Sequence, residues 1–532
     1  MITRPSLSEL LDGVAQTAED VLLPALQGSS VADRLTSILM VLDRVEAEWP
    51  FAARHLVEDN LDIEFTLRRV EKLAARSAAI SDLPPPAPVT ADADRERGLS
   101  THELAEHNRR LKSALVWTMD ALDLPAGPTD PIERRYADDE VRQLLARMLR
   151  RERDAMPSTP PRVNPLSRGG DVLDPESTLR VTSALEGFLA AEMPLAGDIR
   201  ITDLQRLAGG ASREAFVFEV SWREGAAVRQ EKCVMLRQPV SSVLESDESE
   251  ARITGSRRLA HVEFKMIRLM EMHGIPVPHM LWVDPDGRWL ERPFSIARWI
   301  TGEADLSKLA TAPHLDTILE QYIEILGRVH NLDPDEVGVD FLGRPTIATA
   351  ALEQVELFAQ GFDRQRLEDF PAISYTIRWL RKNQPIAHRV RVIHGDFRLG
   401  SFMWDDAGIV AMLDWEQCHV GDPLEEIAFM YWPLWTLGTH IPLQEFIDRY
   451  QQASGIPVDE AALAYYRVFI ELKMCVVILT GVKSFYATAE RQLLYGATTG
   501  FEMLRECQRR VIDQLAAGGP TVEFGTDGPT PA

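Results

Sequence analysis

The chain has 532 residues, 45% hydrophobic and 26% charged, a balance that excludes wholesale disorder, collagen-like repeats and a coiled coil. Its 57 Lys and Arg stand against 81 Asp and Glu, a net charge of −24. That argues against a nucleic-acid or anionic-membrane binder, because both rely on Lys and Arg to neutralise phosphate.

The N-terminus runs from Met1-Ile2-Thr3-Arg4-Pro5 to Glu9 and Asp12 without an apolar stretch, so no signal peptide is expected. Leu7, Leu10, Leu11, Val14, Ala18 and Val21 recur at helical spacing, as do Leu35, Ile38, Leu39, Leu42 and Val45. Leu104, Leu111, Leu115 and Met119, then Val141, Leu144, Leu145 and Met148, predict two further helices. His102-Glu103 and His107 resemble a zinc motif, but five-residue spacing puts the histidines on different helix faces, so they read as surface residues. Residues 1–155 are therefore expected to be an all-helical accessory domain. Pro157, Pro160, Pro161, Gly169 and Gly170 mark 156–172 as a Pro/Gly-rich linker.

The texture changes near residue 173. A helix is predicted over Leu179 to Ala191, then strands at Ala215 to Trp222 and Lys232 to Arg237, with a turn at Arg223-Glu224-Gly225. A helix over Arg258 to His273 and strands at His279 to Val283 and Phe294 to Trp299 follow; after Gly302 helices dominate. The apolar run Met474 to Val482 lies between Lys473 and Lys483, far short of the ~20 residues of a membrane helix. Residues 516–532 read as a flexible tail. Cys233, Cys418, Cys475 and Cys507 form no CxxC pair and read as reduced thiols of a cytoplasmic protein. The fold class expected is α+β, a β-rich part followed by a helical part with a cleft between.

The informative segment is Val392-Ile393-His394-Gly395-Asp396-Phe397-Arg398, then Ser401, then Ile409 to Leu413-Asp414-Trp415-Glu416. It sets Asp396 and Asp414 at the ends of two neighbouring short strands. Phosphoryl transfer needs such a layout: one carboxylate takes the proton of the attacking hydroxyl, another holds Mg²⁺, and a nearby cation offsets charge on the transferring group.

In these residues the chain resembles the aminoglycoside phosphotransferase and choline kinase superfamily, over roughly 173–510. The resemblance implies a two-lobed protein-kinase-like fold, with an N-lobe at 173–302 and a C-lobe at 303–515. It makes Asp396 the catalytic base, Arg398 the γ-phosphate contact, and Asp414 with Ser401 the metal ligands. The family carries Asn where this chain has Ser401. Gly209, Gly210 and Ser212, by themselves an ordinary hairpin turn, resemble the nucleotide-covering loop. Arg237 resembles the phosphate-contacting base, with Glu263 as its partner. Most kinase-like enzymes have Lys there; Arg occurs in the branch found with acyl-CoA dehydrogenases. Pro293 to Gly302, including Arg298 and Ile300, looks like the hinge that holds adenine. ATP (or GTP) and Mg²⁺ are the implied cofactors. The implied partner is a small-molecule hydroxyl acceptor such as a hydroxyacyl-CoA or an aminoglycoside-like alcohol, without nucleic acid or membrane. A partner enzyme docking on the N-terminal helical domain is a further expectation. The alternative is a non-catalytic kinase-like nucleotide-binding or regulatory protein with an impaired metal site, which Ser401 favours.

Overall fold

The computed structural model describes residues 14–25, 30–78, 98–123, 131–154, 175–207, 213–238, 259–487 and 503–516. Leu7, Leu10 and Leu11, the linker 156–172, the loop residues Gly209, Gly210 and Ser212, and the tail from 517 lie outside the described residues. In chain order the main elements begin with helices α1 (Ser30–Ala78), α2 (Thr101–Leu122), α3 (Pro131–Asp154) and α4 (Pro175–Glu192). Strands β1 (Gly197–Arg206), β2 (Glu214–Glu224) and β3 (Ala227–Arg237) come next, then α5 (Leu259–Met272), β4 (Met280–Asp284) and β5 (Phe294–Arg298). Helices α6 (Leu315–His330), α7 (Ala350–Gln365) and α8 (Pro371–Lys382) lead to β6 (Arg391–Ile393), β7 (Phe402–Asp405), β8 (Gly408–Met412) and β9 (His419–Gly421). The chain continues through α9 (Pro423–Met430), α10 (Leu443–Ser454), α11 (Glu460–Ala487) and α12 (Leu504–Ala516).

These elements cluster in two compact units that interleave in sequence. One draws on Met1–Ser167, Phe358–Asn383 and Glu471–Thr521; the other on Arg168–Leu357, Gln384–Ile470 and Val522–Ala532.

The first unit is helical. Leu35 and Leu39 of α1, Leu104, Leu111, Leu115 and Met119 of α2, and Val141, Leu144, Leu145 and Met148 of α3 are all buried, as their spacing predicts. Ile38 and Val45 are exposed. Both sit at one edge of the α1 stripe, about 60–80° round the helix from Leu35 at 100° per residue. Polar pairs set the register between helices. Asn108 of α2 donates to Asn60 of α1 at 2.9 Å, and Arg151 of α3 holds Asp59 and Asp62 of α1 at 2.7 and 2.8 Å. Glu103 closes a capping box at the start of α2: its N–H donates to the Ser100 hydroxyl and its carboxylate accepts from the Ser100 N–H at 2.8 Å. Later parts of the chain join the same unit. Tyr375 of α8 donates to Asp138 of α3 at 2.7 Å, Arg378 of α8 binds Asp123, and Arg510 of α12 grips Glu471 at 2.7 and 3.0 Å.

The second unit contains a five-stranded antiparallel sheet in the order β1-β2-β3-β5-β4. The β2–β3 hairpin turns where predicted, with Gly225 at φ +63°. One face of the sheet presents Phe216, Phe218, Val220, Cys233, Met235, Phe294 and Ile296 to Val181, Leu185, Phe188 and Leu189 of α4. Beyond β5 the unit is mainly helical, with two small strand pairs, β6–β9 and β7–β8. This is the expected α+β plan, a β-rich part followed by a helical one. All four cysteines are buried and free. The apolar run in α11 packs into the core, and no helix among the described residues is long and apolar enough to cross a membrane.

Candidate active site

The centre of the second unit is the loop that leaves β6. His394 is fully buried, and the Asp396 N–H donates to its Nδ1 at 3.2 Å. Nδ1 is therefore the acceptor nitrogen, so Nε2 carries the proton and donates to the Leu413 carbonyl at 2.7 Å. Through this one imidazole the backbone before Asp414 is tied to the backbone of Asp396. Gly395 makes the turn possible: its φ is +89°, and a β-carbon there would strike the Gln417 carbonyl.

Glu426, buried at the start of α9, clamps the loop from behind. Its carboxylate accepts the His394 and Gly395 N–H groups at 3.0 and 2.6 Å and the His330 Nε2 at 3.1 Å. Burial alone would raise its carboxyl. The His330 hydrogen bond and charge, with His394 and the loop N–H groups, outweigh burial and hold it at about 2. Sequence reading missed this residue, although two adjacent acidic residues opening an otherwise apolar helix were a usable signal. Asp422 caps the same helix, accepting the Leu424 N–H at 3.0 Å.

Asp396 is recessed, and Arg398 Nε donates to its Oδ1 at 3.1 Å. The Arg398 guanidinium lies 4.9 Å over the Trp435 ring. Gly400 leaves it room, since a β-carbon there would meet the Arg398 guanidinium. Within Tyr431-Trp432-Pro433-Leu434-Trp435, Trp432 is buried while Trp435 offers its ring to Arg398.

Asp414 adopts φ +60°, a left-handed conformation that Asp tolerates better than most residues. Its side chain opens to solvent yet is closely surrounded by protein. That crowding and the neighbouring Glu416 push its carboxyl above the ordinary aspartate range, against Arg398 and Arg213. Ser401 is fully buried, and its hydroxyl has no hydrogen-bond partner. The Leu413 N–H donates to the Ser401 carbonyl at 2.8 Å, bringing Ser401 beside the residue that precedes Asp414. An orphaned hydroxyl oxygen and a carboxylate, both hard oxygen donors, fit Mg²⁺. Among the described residues no three His, Cys, Asp or Glu converge as a metal cage, and Mg²⁺ needs none, because it keeps several waters.

The expected pairing of Arg237 with Glu263 does not form. Arg237 and Glu214 are cross-strand partners in the β2–β3 ladder, and Arg237 binds Glu214 at 2.9–3.0 Å over the Phe216 ring. Arg292 shares that Glu214 carboxylate at 2.8 Å. Glu263 on α5 pairs instead with Arg213, whose other guanidinium nitrogen binds Glu416 at 2.7 Å. Glu214 opens β2 and pairs across the ladder with Arg237, whereas Arg213, just before the strand, reaches Glu263 on α5. Arg213 stood in the sequence beside the glycine stretch but was not singled out, because sequence does not reveal which face a residue takes.

At the expected hinge, Arg298 is committed elsewhere. Its side chain binds Glu231 at 2.6 and 3.1 Å, and its N–H donates to the His279 carbonyl at 2.9 Å. Ile300 follows, half-buried, and among the described residues no backbone group bonds to its own. Glu303 and Trp404 exchange backbone hydrogen bonds at 2.7 and 3.0 Å, joining the end of this segment to β7.

Residues 203–466 match the sequence profile of the "Phosphotransferase enzyme family". These residues are a phosphotransferase-family domain. The domain takes in Arg213, Arg237, Glu263, Asp396, Arg398, Ser401 and Asp414. Acyl-CoA dehydrogenase family member 10 of Mus musculus is 26% identical over 214 residues, 39% of this chain and 19% of that protein. Acyl-CoA dehydrogenase family member 11 of Homo sapiens is 26% identical over 280 residues, 49% of this chain and 34% of that protein. The chain thus spans about a third or less of the length of these curated relatives. Among solved structures, a putative aminoglycoside phosphotransferase from Ralstonia eutropha is 19% identical with a TM-score of 0.46, over 62% of this chain and 98% of that one.

Proposed function

We propose that this chain is an ATP- or GTP-dependent kinase that moves the γ-phosphoryl group to a hydroxyl of a small molecule. The observation that carries the reading is the joined pair of strand ends. Asp396 with Arg398 at 3.1 Å lies on one, Asp414 on the other, and His394 is hydrogen-bonded to both backbones. Asp396 takes the acceptor's hydroxyl proton as the new O–P bond forms and the bond to the β-phosphate oxygen breaks. Arg398 faces the transferring group, and Trp435 keeps its guanidinium in place. Asp414 and the Ser401 hydroxyl would hold Mg²⁺, which would offset charge on the donor phosphates. Ile300 would offer its backbone groups to the adenine edge.

For the acceptor, the relatives named acyl-CoA dehydrogenase family members direct the first choice to hydroxyacyl-CoA thioesters, with aminoglycosides second. The test is thermal stabilisation by Mg²⁺-ATP and Mg²⁺-GTP, followed by a coupled assay of ADP or GDP release over both acceptor classes. Stabilisation with acceptor-dependent release is the expected result. No stabilisation by either nucleotide sinks the reading. Binding without turnover on any hydroxyl acceptor favours a non-catalytic nucleotide-binding protein, with Ser401 as the altered metal position.

A further inference from the structure

We propose that Arg213 is the ligand of the donor phosphates, held ready between Glu263 and Glu416 until a nucleotide displaces Glu416. The inference rests on the kinase reading above and assigns the phosphate-binding cation to a residue other than the β3 arginine.

Four observations carry it. In sequence Arg213 directly follows Gly209-Gly210-Ala211-Ser212, and it immediately precedes β2. It is largely buried, and its two terminal nitrogens bind separate carboxylates, Glu263 on α5 and Glu416 two residues beyond Asp414. Asp414 also acts on its charge, so the guanidinium lies within electrostatic range of the proposed metal ligand. Arg237 is not available in the same way: it shares Glu214 with Arg292.

The chemistry of the group completes the argument. A guanidinium presents its donors in a planar fork, so one edge can stay on Glu263 while the other exchanges a carboxylate for a phosphate oxygen. The cation then needs no reorganisation when the donor arrives. Glu263, Glu416, Asp414 and Asp396 outnumber Arg213 and Arg398 by two charges, so release of Glu416 leaves a further carboxylate beside the metal position.

Calorimetric titration of the full chain with Mg²⁺-ADP and with adenosine tests this. Arg213→Gln is expected to weaken Mg²⁺-ADP by about tenfold or more, the scale of one lost charge-assisted bond, and to leave adenosine within twofold. Arg237→Gln is expected to leave both within twofold. Glu416→Gln removes the competitor and is expected to tighten ADP severalfold when Mg²⁺ is absent. Equal loss of adenosine and Mg²⁺-ADP in Arg213→Gln would mean a merely structural role and overturn the proposal. So would undiminished Mg²⁺-ADP binding in that variant, or a tenfold loss in Arg237→Gln instead. An unchanged Glu416→Gln overturns the displacement step. If the unaltered chain binds no Mg²⁺-ADP, the kinase reading itself fails, which separates that failure from the failure of Arg213.

Discussion

Gly395 illustrates how much a single residue decides here. It combines a φ of +89° with a β-carbon position already occupied by the Gln417 carbonyl, so Gly395→Ala must both strain the backbone and displace the turn at Gln417. Urea unfolding should show a loss of about 2 kcal/mol or more, with transfer activity falling alongside it. Asp396→Asn separates chemistry from binding. The amide preserves shape but cannot take a proton, so kcat should drop by about 10²–10⁴ while Mg²⁺-ADP affinity stays within a few-fold. Asp396 and Asp414 stand out in the sequence because they end two apolar runs of one short segment, while Arg398 and Ser401 entered through the family resemblance. The contacts of Arg213 and Trp435 were not readable, because they join distant parts of the chain.

At the scale of elements, the loop after β6 is held by helices that sequence motifs do not mention. Glu426 on α9 joins it to His330 at the end of α6, and Tyr450 of α10 bonds the other nitrogen of His330 at 2.8 Å. The Glu426 carboxyl is held at about 2 against an ordinary 4.5. A depressed carboxyl binds its proton more weakly in the folded state, so its stabilisation is complete above pH 4.5 and is lost as pH falls from there towards 2. Glu426→Gln should therefore lower stability by about 3 kcal/mol at neutral pH, the scale of breaking a buried pair. The gap between variant and unaltered chain should close below pH 4.5, as thermal unfolding across pH would record. The sheet gives a second example. The strands were visible as alternating apolar residues, but their register set Arg237 opposite Glu214 and sent Arg213 to α5.

At the scale of the molecule, the helical unit is not a simple N-terminal attachment. It incorporates Phe358–Asn383 and Glu471–Thr521: α8 binds Asp123 and Asp138, and the Leu515 carbonyl of α12 accepts from Arg142 of α3 at 2.9 Å. A chain beginning at residue 173 would leave Tyr375 without Asp138 and Arg378 without Asp123, and would uncover the buried side of α8, including Ile373, Ile377 and Leu380. Such a chain should be less soluble and unfold at lower temperature than the full chain, measured by sedimentation and circular dichroism. A truncated chain with unchanged unfolding would show that these contacts contribute nothing. The sequence by itself determined the helical and β-rich regions and the order of the segments, because periodicity and short-range spacing are local properties. Only the tertiary structure decided that Arg213 faces Glu263, that Glu426 clamps the loop, and that two units share an interleaved chain. Those outcomes depend on which faces meet across long separations, and no local pattern encodes them.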